Sequence, residues 1–263
     1  MQAKYGANPN FKYHWGRAVA RAESADFIHW TPDMGQLILS TDIKDGPMEE
    51  IYSMHVFPYE GLYVGLVQVF HNYPERVYLD IRLAVSRDNI HFQRLSDRSP
   101  FISVGGVGAW DRFNNSVANS RPIVVGEDLR FYYSGRNVVH GSAFRQADNG
   151  RSWPNAVQGA VGFGTVKRDR FAAIEATFDA GTLRTRPLLF QGTRLHVNAG
   201  LKFGSLSVAL IGTSGKVEEK ATIQGQDGID ILVPLKRLSR CAGAPVRLEF
   251  TLTNGQLYAF WLD

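Results

Sequence analysis

The chain has 263 residues, of which 44% are hydrophobic and 12% aromatic, and its formal net charge is +4. This length allows one large or two small globular domains with a sizeable core. No run approaches about 18 consecutive apolar residues, so the sequence predicts no membrane span. Because the Lys and Arg residues are scattered rather than clustered, the composition also argues against nucleic acid as a partner.

The cysteine count and the first residues bear on the compartment. A single cysteine, Cys241, excludes an internal disulfide and fits a reducing environment. Residues 1–15 contain aromatic side chains but lack the apolar core of a secretion signal. The cytoplasm is therefore slightly favoured, and the location stays otherwise open.

The glycine, proline and aromatic content, together with the lack of a helical period, predicts an all-β chain. In chain order, residues 17–22 form the first predicted strand and residues 28–31 the strand after a turn. The polar stretch that follows Thr31, PDMGQLILSTDIKDGPMEE, is predicted to be a connector. It leads to two adjacent carboxylates, Glu49 and Glu50.

The segment at residues 49–95 has the pattern of one nearly complete β-propeller blade. Four antiparallel strands joined by tight turns make such a blade. A Pro-Tyr-Glu-Gly turn separates the first two of four strand-like runs, which are predicted at 51–57, 62–70, 77–85 and 90–95. The segment before Glu49 is then the second half of an earlier blade.

A short motif occurs on both sides of this boundary. Residues 24–30, SADFIHW, and residues 86–92, SRDNIHF, share a serine, an acid two residues on and an aromatic six residues on. An Asp at this position caps backbone amides of a tight turn, and the aromatic can pack between blades. We therefore expect Asp26 and Asp88 to be structural, with a ligand-binding role as the less favoured alternative.

A further blade is predicted after the glycine-rich loop at residues 105–111. Its strands are expected at 120–125, 129–134 and 156–167. The glycines do not indicate a phosphate-binding loop, because no helical pattern and no Gly-Lys-Ser/Thr follows them.

From residue 179 to Asp263 the sequence changes character. Short apolar runs alternate with glycine turns, and the serine-acid motif is absent, which predicts a β-sandwich. The predicted organisation is a partial propeller over residues 1–178 followed by a sandwich over residues 179–263. The short link between them predicts two domains that pack together.

Several short sequence motifs, taken in their order along the chain, resemble those of a known family. They are the two serine-acid motifs, YEGLYVGL at 59–66, Trp110-Asp111, YYSG at 132–135 and TRPLLFQGTRLHVN at 185–198. Together they resemble glycoside hydrolase family 32-like proteins, which are related to family 43. The resemblance implies a five-bladed propeller with a central active site, followed by a C-terminal sandwich, and it covers the chain from Arg17 onward.

The chain also departs from that family. Neither the W-x-N-D-P-x-G-like string that carries the nucleophile or base nor the R-D-P-like string is present. About two and a half blades are too few to close a ring, because propellers have about four to eight. We therefore expect an N-terminally truncated piece whose open edge needs missing blades or a partner chain.

Glycoside hydrolysis needs two carboxyl groups, one of them a proton donor. The comparable position of the acid in family 43-like enzymes makes Glu50 the candidate general acid. Glu49 is a second candidate for contact with substrate, although only one of two neighbouring strand residues can face the same side. The alternative for both is a solvated loop carboxylate, and Glu60 is expected to lie on the surface.

Three further residues are candidates for substrate binding. Trp110 could stack on a sugar ring, Asp111 could orient a hydroxyl group, and His140 could hydrogen-bond to substrate. For each, a structural role is the alternative. Neither a metal-ligand spacing nor a cofactor motif is found, so no metal or cofactor is predicted.

The predicted function is therefore that of a glycoside hydrolase-like protein acting on a glycan, incomplete as a catalyst in this chain. A non-catalytic carbohydrate-binding or interaction module is the alternative, because half of the expected acid pair is missing.

Overall fold

The computed structural model describes residues 2–5, 16–74, 76–95, 97–140 and 159–263. By internal contacts the chain divides into two compact units. The first is made of Met1–Ile123 and Arg130–Thr165, and the second of Val124–Leu129 and Val166–Asp263. The described residues contain no α-helix, and none of their elements is a helix long and apolar enough to cross a membrane.

The first twelve strands form a three-stranded sheet and a nine-stranded sheet. In chain order they are β1 (Gln2–Tyr5), β2 (Gly16–Glu23), β3 (Thr31–Leu39), β4 (Glu49–Tyr59), β5 (Leu62–Asn72), β6 (Val77–Ser86), β7 (Gln93–Arg94), β8 (Pro100–Ile102), β9 (Asn114–Val117), β10 (Ile123–Val125), β11 (Asp128–Arg136) and β12 (Ala160–Lys167). The three-stranded sheet has the order β1-β2-β3. We call it the first sheet.

The predicted connector after Thr31 is wrong in its first part. Residues 31–39 form β3, which pairs with β2 through Val19 opposite Leu39. The reason is burial, since Leu39 is only 7% exposed and packs beside Val19. This strand was not predicted from the sequence because polar residues surround its short apolar run, residues 37–39.

The four strands of the predicted complete blade are present as β4, β5, β6 and β7. Each pairs antiparallel with the next along the chain. Glu60 and Gly61 make the first hairpin turn with φ of 43° and 73°. Two positive φ angles in a two-residue loop match the twist of the flanking strands, and glycine adopts such an angle without strain. We call β4–β7 the complete blade.

The two faces of the complete blade are both covered. On one face, Ile51, Val67 and Val69 pack with Val19 and Leu39 of the first sheet. The other face lies against β9 and β11, as the following contacts show. The rings of Phe57 and Phe131 lie 6.2 Å apart, and Gln68 Nε2 donates a 2.6 Å hydrogen bond to the Asn115 carbonyl.

The strands β9, β10, β11 and β12 belong to the same nine-stranded sheet, because β9 is joined to β6 by one parallel pair, Leu79 opposite Asn114. Sequence reasoning missed β9 and predicted a strand at 120–125, of which Ile123–Val125 is present. Residues 156–158 of the predicted strand 156–167 lie outside the described residues. The rest of that strand is confirmed as Ala160–Lys167.

The second unit contains two four-stranded sheets around one core. Their orders are β13-β20-β15-β18 and β14-β19-β16-β17. The strands are β13 (Ile174–Ala176), β14 (Gly181–Arg184), β15 (Leu195–Gly200), β16 (Ser205–Ile211), β17 (Val217–Gln224), β18 (Asp227–Val233), β19 (Arg247–Thr253) and β20 (Gly255–Leu262). Leu195 and Leu206, one from each sheet, are fully buried in the shared core. Two sheets enclosing one core form a sandwich.

The predicted all-β fold, blade-like sheets followed by a sandwich, is confirmed. Sequence reasoning missed β17, whose polar side chains alternate on the edge of its sheet, and the short strands β13 and β14. The predicted boundary at residue 178 stays a prediction. The strand β13, which precedes that boundary, pairs with β20 in the second unit.

Candidate functional site

Glu50, the predicted general acid, lies at the start of β4 and forms an ion pair with Arg17 of β2. The Arg17 amide nitrogen and its Nη1 each donate a hydrogen bond of 3.1 Å to Glu50 Oε2. Both side chains are mostly buried, with 24% of Arg17 and 17% of Glu50 exposed. Both of these hydrogen bonds end on the same carboxylate oxygen, which fixes the carboxylate.

Aromatic rings complete the surroundings of this ion pair. The Arg17 guanidinium lies 4.9 Å from the centre of the Tyr52 ring and 5.5 Å from that of Phe70. His140 stands edge-on to both rings, and its Nε2 lies 3.3 Å from the Tyr52 hydroxyl. The structure thus brings two predicted site residues together. We call Arg17, Glu50, Tyr52, Phe70 and His140 the Glu50 cluster.

The chemistry of the Glu50 cluster suits a ligand with several hydroxyl groups. Burial and the positive charges of Arg17 and Arg136 lower the pKa of His140. His140 is therefore neutral at pH 7, and a neutral imidazole has one donor and one acceptor nitrogen. The cluster accordingly offers a carboxylate acceptor, guanidinium donors, a hydroxyl and an imidazole beside aromatic rings.

Glu49 lies on the opposite face of β4, as the alternation of strand side chains requires. Its two oxygens each lie 3.2 Å from Arg82, and Oε1 also lies 3.1 Å from His71 Nδ1. Burial favours the neutral acid, but the hydrogen bond from His71 and the charge of Arg82 outweigh it and lower the pKa of Glu49 to about 2. Glu49 is therefore a fixed anion within the protein.

The buried charges around Glu49 form a connected network of ion pairs. His71 Nε2 lies 3.0 Å from Asp80, and Arg94 lies 2.6 Å from Asp45. Each nitrogen of His71 faces a carboxylate, and only the doubly protonated ring can donate to both. Burial alone would lower the pKa of His71, but the hydrogen bonds to Asp80 and Glu49 raise it.

Three anions and three cations therefore balance within this buried set. We call it the Glu49 network, and its members are Asp45, Glu49, His71, Asp80, Arg82 and Arg94. Such balance is needed because an unpaired charge in a protein interior is costly. The network accounts for Glu49 structurally.

Trp110 and Asp111 lie together around Tyr133 of β11. The Tyr133 hydroxyl donates a 2.7 Å hydrogen bond to Asp111, and the Trp110 ring stacks on the Tyr133 ring at 5.3 Å. Burial and the Asp111 carboxylate raise the pKa of Tyr133 to about 12. A Cβ at Gly162 would lie 2.6 Å from the Trp110 ring, so this ring requires a glycine beneath it.

The five predicted residues thus fall into three groups. Glu50 and His140 share one cluster, Glu49 belongs to the network on the other face, and Trp110 and Asp111 surround Tyr133. Within the described residues, each of these side chains has a protein partner. Their roles in catalysis or binding stay predictions.

The two serine-acid turns have the same hydrogen-bond geometry. In each, the Asp26 or Asp88 Oδ1 accepts bonds of 2.9 Å and 2.8 Å from the amides two and three residues on. The predicted capping role is confirmed. Phe92 packs against the core of the complete blade, as expected, whereas its counterpart Trp30 is 36% exposed.

An open groove lies between the first sheet and the complete blade. It is lined mainly by β2 and β4, with Trp30, Met54 and Asn89 among its side chains. None of the five predicted site residues lines it. We place the candidate site at the Glu50 cluster because the charged and hydroxyl groups converge there.

Sequence reasoning missed Arg17, Tyr52 and Phe70. Tyr52 lies only two residues beyond Glu50, and a search for aromatic residues near the candidate acid would have found it. Arg17 lies 33 residues away along the chain, so its contact with Glu50 depends on the packing of β2 beside β4. No cluster of potential metal ligands is found among the residues that the structure describes.

Comparison with known proteins gives similarity at the level of structure only. No family model matches the sequence, and the search of curated proteins finds no significant match. A structure named only as a glycoside hydrolase is similar with a TM-score of 0.44 and 18% identity, over 62% of this chain and 39% of its own.

Two other solved structures are also similar. An N-acetylgalactosamine deacetylase from F. plautii, solved with blood group B trisaccharide, has a TM-score of 0.40 and 18% identity over 60% of this chain and 44% of its own. The GH32 beta-fructofuranosidase BmSUC1 of Bombyx mori has a TM-score of 0.27 and 8% identity over 99% of this chain and 75% of its own. The chain spans about two fifths of the length of the glycoside hydrolase and the deacetylase. At such low TM-scores the likeness assigns the chain to no family.

Proposed function

We propose that this chain belongs to a glycoside hydrolase-like protein, of the family 32 type suggested by its sequence, and binds a glycan at the Glu50 cluster. The observation that carries the proposal is the convergence of Glu50, Arg17 and His140 beside the rings of Tyr52 and Phe70. Polar groups placed against aromatic surface are the usual composition of a small-ligand site.

The same contacts favour binding over hydrolysis by this chain alone. A glycosidase needs two carboxyl groups about 5 to 9.5 Å apart, one of them protonated. Among the described residues, the charged partner in contact with Glu50 is the Arg17 guanidinium. The adjacent carboxylate, Glu49, is committed to Arg82 and His71 on the other face.

Binding to an array of oligosaccharides, followed by calorimetric titration with each retained sugar, tests the proposal. The substitution Tyr52→Ala should weaken binding at least about tenfold, since aromatic contact residues dominate such sites. Glu60→Gln, at the exposed turn that ends the same strand, is the matched control and should leave binding unchanged. The proposal fails if no sugar binds with a Kd below about 1 mM.

Hydrolysis with Glu50 as general acid is the second candidate, because the two hydrogen bonds from Arg17 both end on Oε2 and not on Oε1. Incubation of the retained sugars with the chain and detection of new reducing ends measures it. If Glu50 donates the proton, Glu50→Gln should slow release by about 10² to 10⁴ on sugars with poor leaving groups. Aryl glycosides with good leaving groups should slow far less.

A further inference from the structure

The open groove between the first sheet and the complete blade has the size of a small-ligand site. Its volume is about 360 Å³, and ligand pockets in proteins have about 300 to 1,000 Å³. Among its lining residues, Val19 and Ala20 are buried, and Ile38 and Met54 pack against the same core as Val19. The lining therefore belongs to the packed core of the first unit.

Both serine-acid turns contribute a side chain to this groove. The first turn supplies Trp30 and the second supplies Asn89. The two turns have the same capping hydrogen bonds, but Phe92 packs against the core, whereas its counterpart Trp30 lines the groove and is 36% exposed. The capping bonds end on backbone amides and do not involve the indole, so they do not explain why Trp30 lies in the groove.

The Trp30 ring is held in place by Phe27. Trp30 Nε1 donates a 3.3 Å hydrogen bond to the Phe27 carbonyl, and the two rings meet edge to face with their centres 5.3 Å apart. Phe27 has a φ of 64°, which is unfavourable for a bulky side chain. Its counterpart in the second turn, Asn89, has a φ of 61°, which asparagine adopts readily. Backbone strain of this kind is typical of segments that position a binding group, and here it positions the indole.

Two polar side chains complete the groove. Arg21 Nη2 donates a hydrogen bond to Glu23, and this ion pair balances the charge of Arg21. The guanidinium has further N–H donors, and the Asn89 amide has both donors and an acceptor. An apolar occupant would bury these groups without hydrogen bonds, which costs free energy. The groove therefore suits an uncharged ligand that has hydroxyl groups.

We propose that this groove is a carbohydrate-binding site, in which a neutral sugar ring lies against Trp30 and its hydroxyl groups contact Arg21 and Asn89. The face of an indole carries negative charge density, which attracts the C–H bonds on the less polar side of a sugar ring. Because Phe27 already fixes the indole, little side-chain freedom is lost on binding.

The site is separate from the Glu50 cluster. Glu50 lies at the start of β4, whereas Met54 and Val56, which line the groove, lie four and six residues further along the strand. At about 3.3 Å per residue, roughly 13 to 20 Å of strand separate them from Glu50. Binding in the groove therefore does not depend on the function proposed for the Glu50 cluster.

NMR of the chain with ¹⁵N in its tryptophan side chains, titrated with neutral sugars, tests the proposal. The sugars are cellobiose, xylobiose, maltose, lactose and sucrose. The chain has five tryptophans, and the indole signal that disappears in Trp30→Phe is that of Trp30. At least one sugar should shift this signal with a Kd below about 1 mM.

Variants then assign the binding to the groove. Asn89→Gly keeps the backbone unstrained, since glycine adopts a positive φ freely, and should raise the Kd about threefold to tenfold through lost hydrogen bonds. Ile28→Ser changes a 76% exposed residue of the same turn that does not line the groove, and as the matched control it should leave the Kd unchanged. Tyr52→Ala should also leave it unchanged. Calorimetry with Trp30→Ala in the Tyr52→Ala background should show a Kd at least about tenfold higher than Tyr52→Ala alone. Thermal unfolding confirms that each variant is folded.

Three results would overturn the proposal. The first is that no sugar of the panel shifts the Trp30 signal at up to about 10 mM, where a site with a Kd of about 1 mM is nearly filled. The second is an equal loss with Ile28→Ser, which would assign the contact to the exposed turn rather than the groove. The third is loss of the Trp30 shift in Tyr52→Ala, which would assign binding to the Glu50 cluster. A Trp30 shift that persists while the Glu50 cluster binds no sugar would support the groove and count only against the function proposed above.

Discussion

Two adjacent residues of β4 lie in opposite environments. Glu49 belongs to a network of ion pairs whose six charges are balanced and almost fully buried. Glu50 faces a half-open cluster in which one ion pair lies against aromatic rings. Charge alone therefore does not identify a functional carboxylate. The charges on the Glu49 side are paired with one another, whereas the Glu50 side has partly exposed polar atoms that a ligand can contact.

The largest loss of stability should follow from breaking the ion pairs of the Glu49 network. Replacing Arg82 by Leu removes one of the two cations, Arg82 and His71, that contact both Glu49 and Asp80. Breaking one partner of a buried ion pair costs about 3–5 kcal/mol. Urea unfolding should therefore show a loss of that size. Arg87→Leu, in the exposed turn after β6, is the control and should change stability by less than about 0.5 kcal/mol. A loss under about 1 kcal/mol for Arg82→Leu would show that the ion pairs of Arg82 do not stabilise the fold as buried pairs should.

A smaller change in stability should follow when pH changes the protonation of His71 and Glu49 in the same network. Folding raises the pKa of His71 above 6.5, so its contribution is fully present below pH 6.5 and is lost as the pH rises through the folded value. Folding lowers the pKa of Glu49 from 4.5 to about 2, so its contribution is present above pH 4.5 and is lost as the pH falls toward 2. A tenfold change in an acid dissociation constant corresponds to about 1.4 kcal/mol of stability.

Unfolding midpoints measured from pH 3 to pH 9 should therefore fall at both ends. His71→Phe removes the titrating group and should flatten the alkaline side while it lowers stability throughout. The groups that face His71 are Glu49, Asp80, Arg82 and Tyr78, whose ring stacks on the imidazole at 3.9 Å. An alkaline fall that persists unchanged in His71→Phe would assign it to another group.

Glu49 and Glu50 show how much of the fold and of the candidate site could be predicted from the sequence. Strand alternation places Glu49 and Glu50 on opposite faces, and hairpin turns such as Glu60-Gly61 set the strands of the complete blade. The residues that pair with each carboxylate could not be predicted from the sequence. Arg17 and Arg82 each lie 33 residues from their glutamate, and such contacts depend on how sheets and strands pack. For the same reason, the Tyr133 partner of Asp111 was not foreseen.

The smallest loss of stability should follow from substitution of Glu50. Its ion pair with Arg17 is partly exposed, and pairs of that kind contribute about 0–1 kcal/mol. Glu50→Gln keeps an oxygen that can accept the Arg17 amide hydrogen bond, so the free energy of unfolding should fall by less than about 1 kcal/mol. Glu49→Gln is the matched variant on the other face and should cost more, because it leaves Arg82 and His71 with an uncompensated buried charge. Urea unfolding of both variants beside the wild type measures the difference. Equal losses would mean that Glu50 contributes to stability as much as the buried Glu49 does, and the candidate site would then lose its structural basis.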